Sequence, residues 1–233
     1  MTDTTERTGS PANHSLTLER GLRVLRVLAE HPDGLSVSAL AAEMETHRAG
    51  IYRLLGPLLD QRLVVRDASG RHTLGVGLIE LASRVRSRLQ HAARPELQRL
   101  ADELEATTAL TLRDGGEALV ALVVEPRGTD MHITYRAGLR HPLTVAASGI
   151  AILAGSAPRP GEREAVIEAR ERGWAQSSGE LLKGTTGVGA PIRTGEGETQ
   201  AAISAVWLNP RDLAHAGEAA MAAAARIAAA IGS

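Results

Sequence analysis

The chain has 233 residues, enough for two modest domains with separate cores, and it has no cysteine, which excludes a disulfide framework, a thiolate metal site and a cysteine nucleophile. Its eight histidines do not fall at ligand spacing, no apolar run approaches the ~20 residues of a membrane span, and the polar start lacks a signal peptide's apolar centre; a cytoplasmic protein without metal, cofactor or membrane partner is expected. The net charge of −1 conceals an asymmetry: Thr46 to Leu89 holds eight arginines against Asp60, Asp67 and Glu80, a net +5, whereas from His91 onward fourteen basic residues face seventeen acidic ones. The basic segment suits a polyanion and the acidic half suits something else, although a run of arginines is also what a solvated face carries.

Residues 1–14 are rich in Thr, Ser, Gly and Pro without periodicity and read as a disordered arm. From Ser15, the residues Leu16, Leu18, Leu22, Val24, Leu25 and Leu28 describe a first helix, ended by His31-Pro32-Asp33-Gly34. Leu35 to Leu59 then reads as a helix-turn-helix. Its first helix opens with Ser36 or Ser38 as N-cap and turns Val37, Leu40, Ala41 and Met44 inward. Thr46 is the expected N-cap of the second, whose Ile51, Leu54, Leu55, Leu58 and Leu59 form one apolar stripe. Arg48, Ala49, Gly50, Tyr52 and Arg53 fall on its other side, where a recognition helix meets the major groove. Pro57 removes a backbone donor, so a bend is expected after Gly56. Leu63 to Arg66 and His72 to Leu74 read as strands of a hairpin about Asp67 to Arg71, a wing whose Arg66 and Arg71 can reach phosphates.

This stretch resembles the IclR family of transcription regulators, through the spacing from Leu35 to Leu55, the run Tyr52-Arg53-Leu54-Leu55, and Gly70 followed by Leu74-Gly75. The likeness continues to the C-terminus, most specifically over Gly138 to Ala154 and Arg172 to Pro191, with Ala201-Ala202-Ile203-Ser204 following. It implies an α+β chain: a winged helix-turn-helix domain over 15–75, a linker helix over 76–92 and a GAF-like α/β effector domain with an antiparallel sheet over 93–233. The sequence departs from the family pattern at Glu45, where a turn glycine is usual, and at Ala49-Gly50, where hydroxyl residues are usual.

In the second half, a helix from Arg94 to Glu105 is followed by strand-like runs at Leu110–Leu112, Ala118–Val124 and Met131–Tyr135. A loop at Ala137 to Leu143 leads into a helix of small residues, Ala146 to Ala154, and a further helix spans Glu162 to Arg172. Strands are expected near Gly189 to Arg193 and Gln200 to Leu208, then an alanine-rich helix capped by Asp212. Gly184 to Gly189 is not a phosphate loop, because Lys183 precedes the glycines and no GK[ST] follows.

The resemblance carries the family's effector-contacting positions onto Ile133, His141, Ala147, Ser148, Ser177, Thr185, Gly187, Ser204 and Val206; the DNA contacts expected from the placement of the helix-turn-helix and wing are Ser36, Thr46, Arg48, Ala49, Gly50, Tyr52, Arg53, Arg66 and Arg71. Unpaired N–H groups at the helix start near Ala147 suit a carboxylate, so a small carboxylic acid is the expected effector. Ser177 stands where some members have an acid, and Gly187 replaces a larger side chain, so a less acidic, roomier pocket is expected. His141, before a proline, reads as a structural surface residue. Partners implied are a palindromic double-stranded operator and a second copy of the chain, as a homodimer or a dimer of dimers, with repression the commoner outcome. Two other readings stay open. One is a winged helix that binds protein. The other is an enzyme in the second domain, for which no nucleophile motif, metal spacing or carboxylate pair appears and Glu180 stands as a lone loop acid.

Overall fold

The computed structural model describes residues 15–84, 88–128, 136–195, 197, 199–208 and 212–232, and the chain divides into two compact units, one ending at Val85 and the other starting at Arg86. The expected arm over residues 1–14 and the expected strand from Met131 to Tyr135 lie outside the described residues.

The first unit runs α1 (Leu16–Glu30), α2 (Val37–Glu43), α3 (Arg48–Asp60), β1 (Val64–Arg66), β2 (His72–Leu74) and α4 (Gly77–Arg84). Serine hydroxyls cap two of these helices: Ser15 accepts from the Leu18 N–H at 3.4 Å and Ser36 from the Ala39 N–H at 3.2 Å. Helices this short are marginal alone, and what holds them is a shared core of Val24, Leu28, Leu40, Ile51, Leu55 and Val64, each worth roughly 1.5–3 kcal/mol when fully buried. Only part of α1 serves that core. Leu16, Leu18 and Leu22 point outward and are more than half exposed.

The turn before α3 differs from expectation. Glu45 adopts a left-handed backbone, φ +48°, which returns the Thr46 N–H to the Ala41 carbonyl at 2.9 Å. The chain therefore enters α3 one residue late: the N-cap is His47, extended and without a side-chain capping bond, and not Thr46. Helix α3 is continuous from Arg48 through Pro57 to Asp60. Strands β1 and β2 pair antiparallel, and a further bridge joins Leu35 to His72, with N–H to O distances of 3.0 and 2.8 Å, tying the wing to the entrance of α2.

The second unit runs α5 (Arg88–Leu104), β3 (Thr107–Asp114), β4 (Glu117–Val124), β5 (Arg140–Pro142), α6 (Ala146–Ala154), α7 (Glu164–Arg172), β6 (Ala175–Ser178), β7 (Thr186–Ile192), β8 (Ala201–Trp207) and α8 (Leu213–Gly232). Six strands form one antiparallel sheet in the order β5-β4-β3-β8-β7-β6. Helix α5 starts at Arg88 and not at Arg94, because Leu89, Ala92 and Ala93 extend the apolar stripe of Leu97, Leu100 and Ala101. Strands β5 and β6 were not expected from the sequence.

Period-two alternation divides the sheet's faces. On β8, Ala201, Ile203 and Ala205 join the core made with α5 and α8, whereas Ala202 joins the core made with α6 and α7. On β7, Val188, Ala190 and Ile192 face the α5 and α8 side, which turns Gly187 and Gly189 to the α6 side. Gly189 is required there: a Cβ on it would stand 2.6 Å from the Ala147 carbonyl oxygen. Asp212 caps α8, accepting from the His215 N–H at 3.0 Å. Small residues let α8 lie close on the sheet, and Gly217 admits the Trp174 ring, which a Cβ would meet at 2.2 Å. No described helix is long and apolar enough to cross a membrane.

Candidate functional site

Two surfaces bear on function, one in each unit. In the first unit, burial of Ile51 and Leu55 turns Arg48, Ala49, Tyr52 and Arg53 outward from the first two turns of α3; Tyr52 is 63% exposed. Arg48 and Arg53 are exposed and make no ion pair among the described residues. Gly50 lies near Thr46 at the start of this face, where a Cβ on Gly50 would stand 3.3 Å from Thr46 Oγ1. The Ser36 hydroxyl is engaged in capping α2.

The two wing arginines differ. Arg66 is exposed and folds over the hairpin, its Nη2 3.1 Å from where a Gly70 Cβ would stand. Arg71 donates from Nε to the Asp33 carbonyl at 2.9 Å and from Nη2 to the Gly34 carbonyl at 2.6 Å, so its guanidinium pins the wing to the loop after α1. The hairpin tip is closed by Asp67, which accepts from the Ser69 hydroxyl at 2.7 Å and the Arg71 N–H at 2.8 Å; those bonds hold its carboxyl below the usual carboxylate range. Beneath the wing His72 is 3% exposed and its Nδ1 has no partner. Burial, then the nearby Arg66 charge, lowers its pKa.

In the second unit, sheet register assembles a pocket on the α6 face. Ser177 on β6 pairs with Gly187 on β7, which pairs with Val206 on β8, making one row across three strands. In the next row Ser204 lies beside Gly189. Helix α6 crosses these rows with its N-terminus over them, because Gly189 lacks the side chain that would hold it off; a Cβ on Gly187 would make only ordinary contact with the Ala147 Cβ, at 3.6 Å. The resulting cavity is small, about 30 Å³ and room for one or two waters, and is lined by Ala147, Ser148, Ser177, Thr185, Gly187, Ser204 and Val206, and by Ala146, Glu180, Leu181 and Leu182.

Seven of the nine residues expected at an effector site thus line one cavity. Ile133 lies outside the described residues. His141 does not line the cavity and is not a surface residue: it is 3% exposed on β5, with Nε2 3.4 Å from the Ser148 hydroxyl and Nδ1 3.0 Å from the Pro142 carbonyl oxygen. It stands behind Ser148.

Beside Ser177 and Gly187, the acid among the cavity's described lining residues is Glu180, on the loop after β6. Its Oε2 accepts from the Ala146 N–H at 2.7 Å and its Oε1 pairs with Arg163 Nη2 at 2.9 Å. Arg163 first, then the Ala146 N–H, holds this carboxyl below its ordinary range, and the carboxylate in turn raises the Arg163 pKa. Ser177 accepts from the Ala147 N–H at 2.9 Å. These two side chains take the first N–H groups of α6. Ala146 meets Glu180 from a left-handed backbone, φ +63°. No local pattern marks Glu180, since its partners lie 34 and 17 residues away.

A winged helix-turn-helix with an exposed cationic helix, joined to a sheet-and-helix unit that holds a small cavity with polar and apolar walls, is the architecture of a DNA-binding regulator with a small-molecule sensor. Comparison with known families agrees. Residues 17–68 match the profile described as the IclR helix-turn-helix domain, and residues 82–168 match that of the bacterial transcriptional regulator IclR C-terminal domain. Together these cover more than half of the chain, which belongs to the IclR family of transcription regulators. It is similar to the HTH-type transcriptional regulator KipR of Bacillus subtilis, 28% identical over 226 residues, covering 85% of this chain and 88% of that protein. It is 34% identical over 150 residues to the HTH-type transcriptional regulator Rv1719 of Mycobacterium tuberculosis, covering 64% of this chain and 56% of the relative. Among solved structures, an IclR regulator from Alicyclobacillus acidocaldarius shares the fold with a TM-score of 0.79 at 23% identity, over 93% of this chain and 99% of that one. An IclR homologue from Microbacterium hydrocarbonoxydans, complexed with 4-hydroxybenzoate, gives 0.80 at 22% identity, over 92% and 98%. The family consists of regulators and not enzymes.

Proposed function

We propose that this regulator acts in the cytoplasm as a repressor, binds a palindromic operator as a homodimer, and releases or repositions on DNA when a small carboxylic acid enters the cavity beneath α6. The observation that carries the reading is the row Ser177, Gly187 and Val206, which together with Ser204 and the N-terminus of α6 encloses a cavity with polar and apolar walls. The aromatic acid held by the Microbacterium homologue supports the ligand class. Arg48 and Tyr52 are assigned to base edges or adjacent phosphates, and Arg53 and Arg66 to phosphates. Arg71, bonded to the Asp33 and Gly34 carbonyls, orients the wing. Dimerisation is supported by apolar side chains left outside the first unit's core: Leu18 and Leu22 on α1, Ile79 and Leu81 on α4, all more than half exposed. Coupling passes through residues 76–92, the segment joining the units, and requires an effector that binds the two arrangements unequally. The test is binding of the purified protein to its own upstream intergenic DNA across a salt series, repeated with a panel of small carboxylic acids. Specific, salt-sensitive binding that one acid alters is expected. Binding no better than to random DNA would overturn the operator-reading proposal, and indifference to every acid would overturn the carboxylate assignment.

A further inference from the structure

The cavity carries an anion of its own. The Glu180 carboxylate sits where α6 offers its first N–H, bonded to Ala146 at 2.7 Å and to Arg163 at 2.9 Å. Arg163 also donates to the Thr144 carbonyl, so one guanidinium joins the turn before α6 to the segment that carries Glu180. That segment is a short strap with left-handed glycines at both ends, Gly179 at φ +67° and Gly184 at φ +80°, and it is closed by the Gly179 N–H bonding to the Thr185 carbonyl at 2.8 Å. Leu181 and Leu182 line the cavity from the strap and are 37% and 49% exposed. A second observation points into the cavity. Ser204 lines it at 4% exposure, and its hydroxyl, which makes no hydrogen bond among the described residues, is presented to whatever enters. A ligand polar group can bond it.

We propose that Glu180 is an internal competitor for the effector: a monocarboxylate enters by displacing the Glu180 carboxylate from Ala146 and Arg163, opening the strap, while a second polar group of the ligand meets Ser204. This rests on the cavity's assignment as the effector site. A carboxylate makes the same charge-assisted bonds that Glu180 gives up, whereas a neutral isostere leaves Arg163 without a counterion. Because the site is free only when Glu180 is out, apparent affinity equals the intrinsic value scaled by the fraction of open strap. Ligand entry and strap opening are then one event, as a sensor requires.

The test uses the full-length protein and two probes, benzoate and benzamide, with binding read by calorimetry and thermal shift for the wild type, Glu180→Ala, Glu180→Gln and Arg163→Ala. Glu180→Ala is expected to bind benzoate roughly tenfold tighter than the wild type, with Glu180→Gln also tighter, and benzamide, which offers Arg163 no charge, is expected to bind more weakly than benzoate in the wild type and in both Glu180 variants. Arg163→Ala is expected to weaken benzoate. The opposite signs are decisive, since loss of a merely structural ion pair moves both variants the same way, and Glu180→Gln covers the case in which the alanine variant fails to fold. Equal benzoate affinity in wild type and both Glu180 variants overturns the competition and leaves the carboxylate pocket standing. Absence of benzoate binding in all four proteins overturns both.

Discussion

Arg53 and Arg71 both lie in the DNA-binding unit and both carry one charge, yet their replacement should have different effects. Arg53 projects from the outer side of α3, exposed and without an ion pair among the described residues. If it sits on a phosphate, Arg53→Ala removes one released counterion per protomer, two per homodimer, and the slope of log K against log salt becomes shallower by about 1.8. Between 50 and 200 mM salt that is about a 12-fold difference in how far affinity falls, well within the resolution of fluorescence anisotropy. The assay needs no operator, because the phosphate term is independent of sequence; a random duplex and the upstream DNA should weaken together. Arg71→Ala should leave the slope nearly unchanged and instead lower the unit's urea midpoint, since its guanidinium is spent on the Asp33 and Gly34 carbonyls. An Arg53→Ala slope equal to the wild type, or a shift in sequence preference instead of a uniform loss, would refute the assignment.

Glu45→Gly should stabilise the first unit by about 1 kcal/mol in urea titration, because a left-handed backbone is costly for any residue with a Cβ. Gly189→Ala should destabilise the second unit by roughly 1–3 kcal/mol and weaken effector binding, since its Cβ would press on the Ala147 carbonyl and lift α6. Stability of the first unit should be flat above pH ~6.5 and fall as pH drops from there: unfolded His72 takes up a proton near its ordinary pKa, whereas the folded histidine, desolvated and beside Arg66, resists it. Urea midpoints between pH 7 and 5 check this, and His72→Leu should flatten that part of the profile.

The helix-turn-helix and wing were legible because their signals are local. Ile51, Leu54, Leu55, Leu58 and Leu59 repeat at helical spacing, and Asp67 to Gly70 carry hairpin chemistry. Where the reading slipped by one residue, at Thr46, the cause was the left-handed turn at Glu45, which moved the helix entrance to His47. Strands β5 and β6 escaped because they are three and four residues long and are set by their neighbours: Arg140, His141 and Pro142 pair with Leu119, Ala118 and Glu117, and little in their own composition favours a strand. Seven of the lining residues followed from the family resemblance, and their common face from alternation along β7 and β8. Glu180 did not. Its role exists only because the fold brings a residue of the loop after β6 to the first N–H of α6, and periodicity carries no trace of such long-range capping.

The two-faced alternation of β8 has a practical corollary for anyone wishing to retune this sensor. Ala201, Ile203 and Ala205 are committed to the scaffold, locked against α5 and α8, whereas Ser204 and Val206 open onto the cavity. On the proposed effector site, a library that randomises only Ser204 and Val206 is expected to sample new ligand preferences while leaving the packing on the opposite face untouched. The strand is in effect a keyboard whose alternate keys can be rewired separately, a convenient starting point for a biosensor.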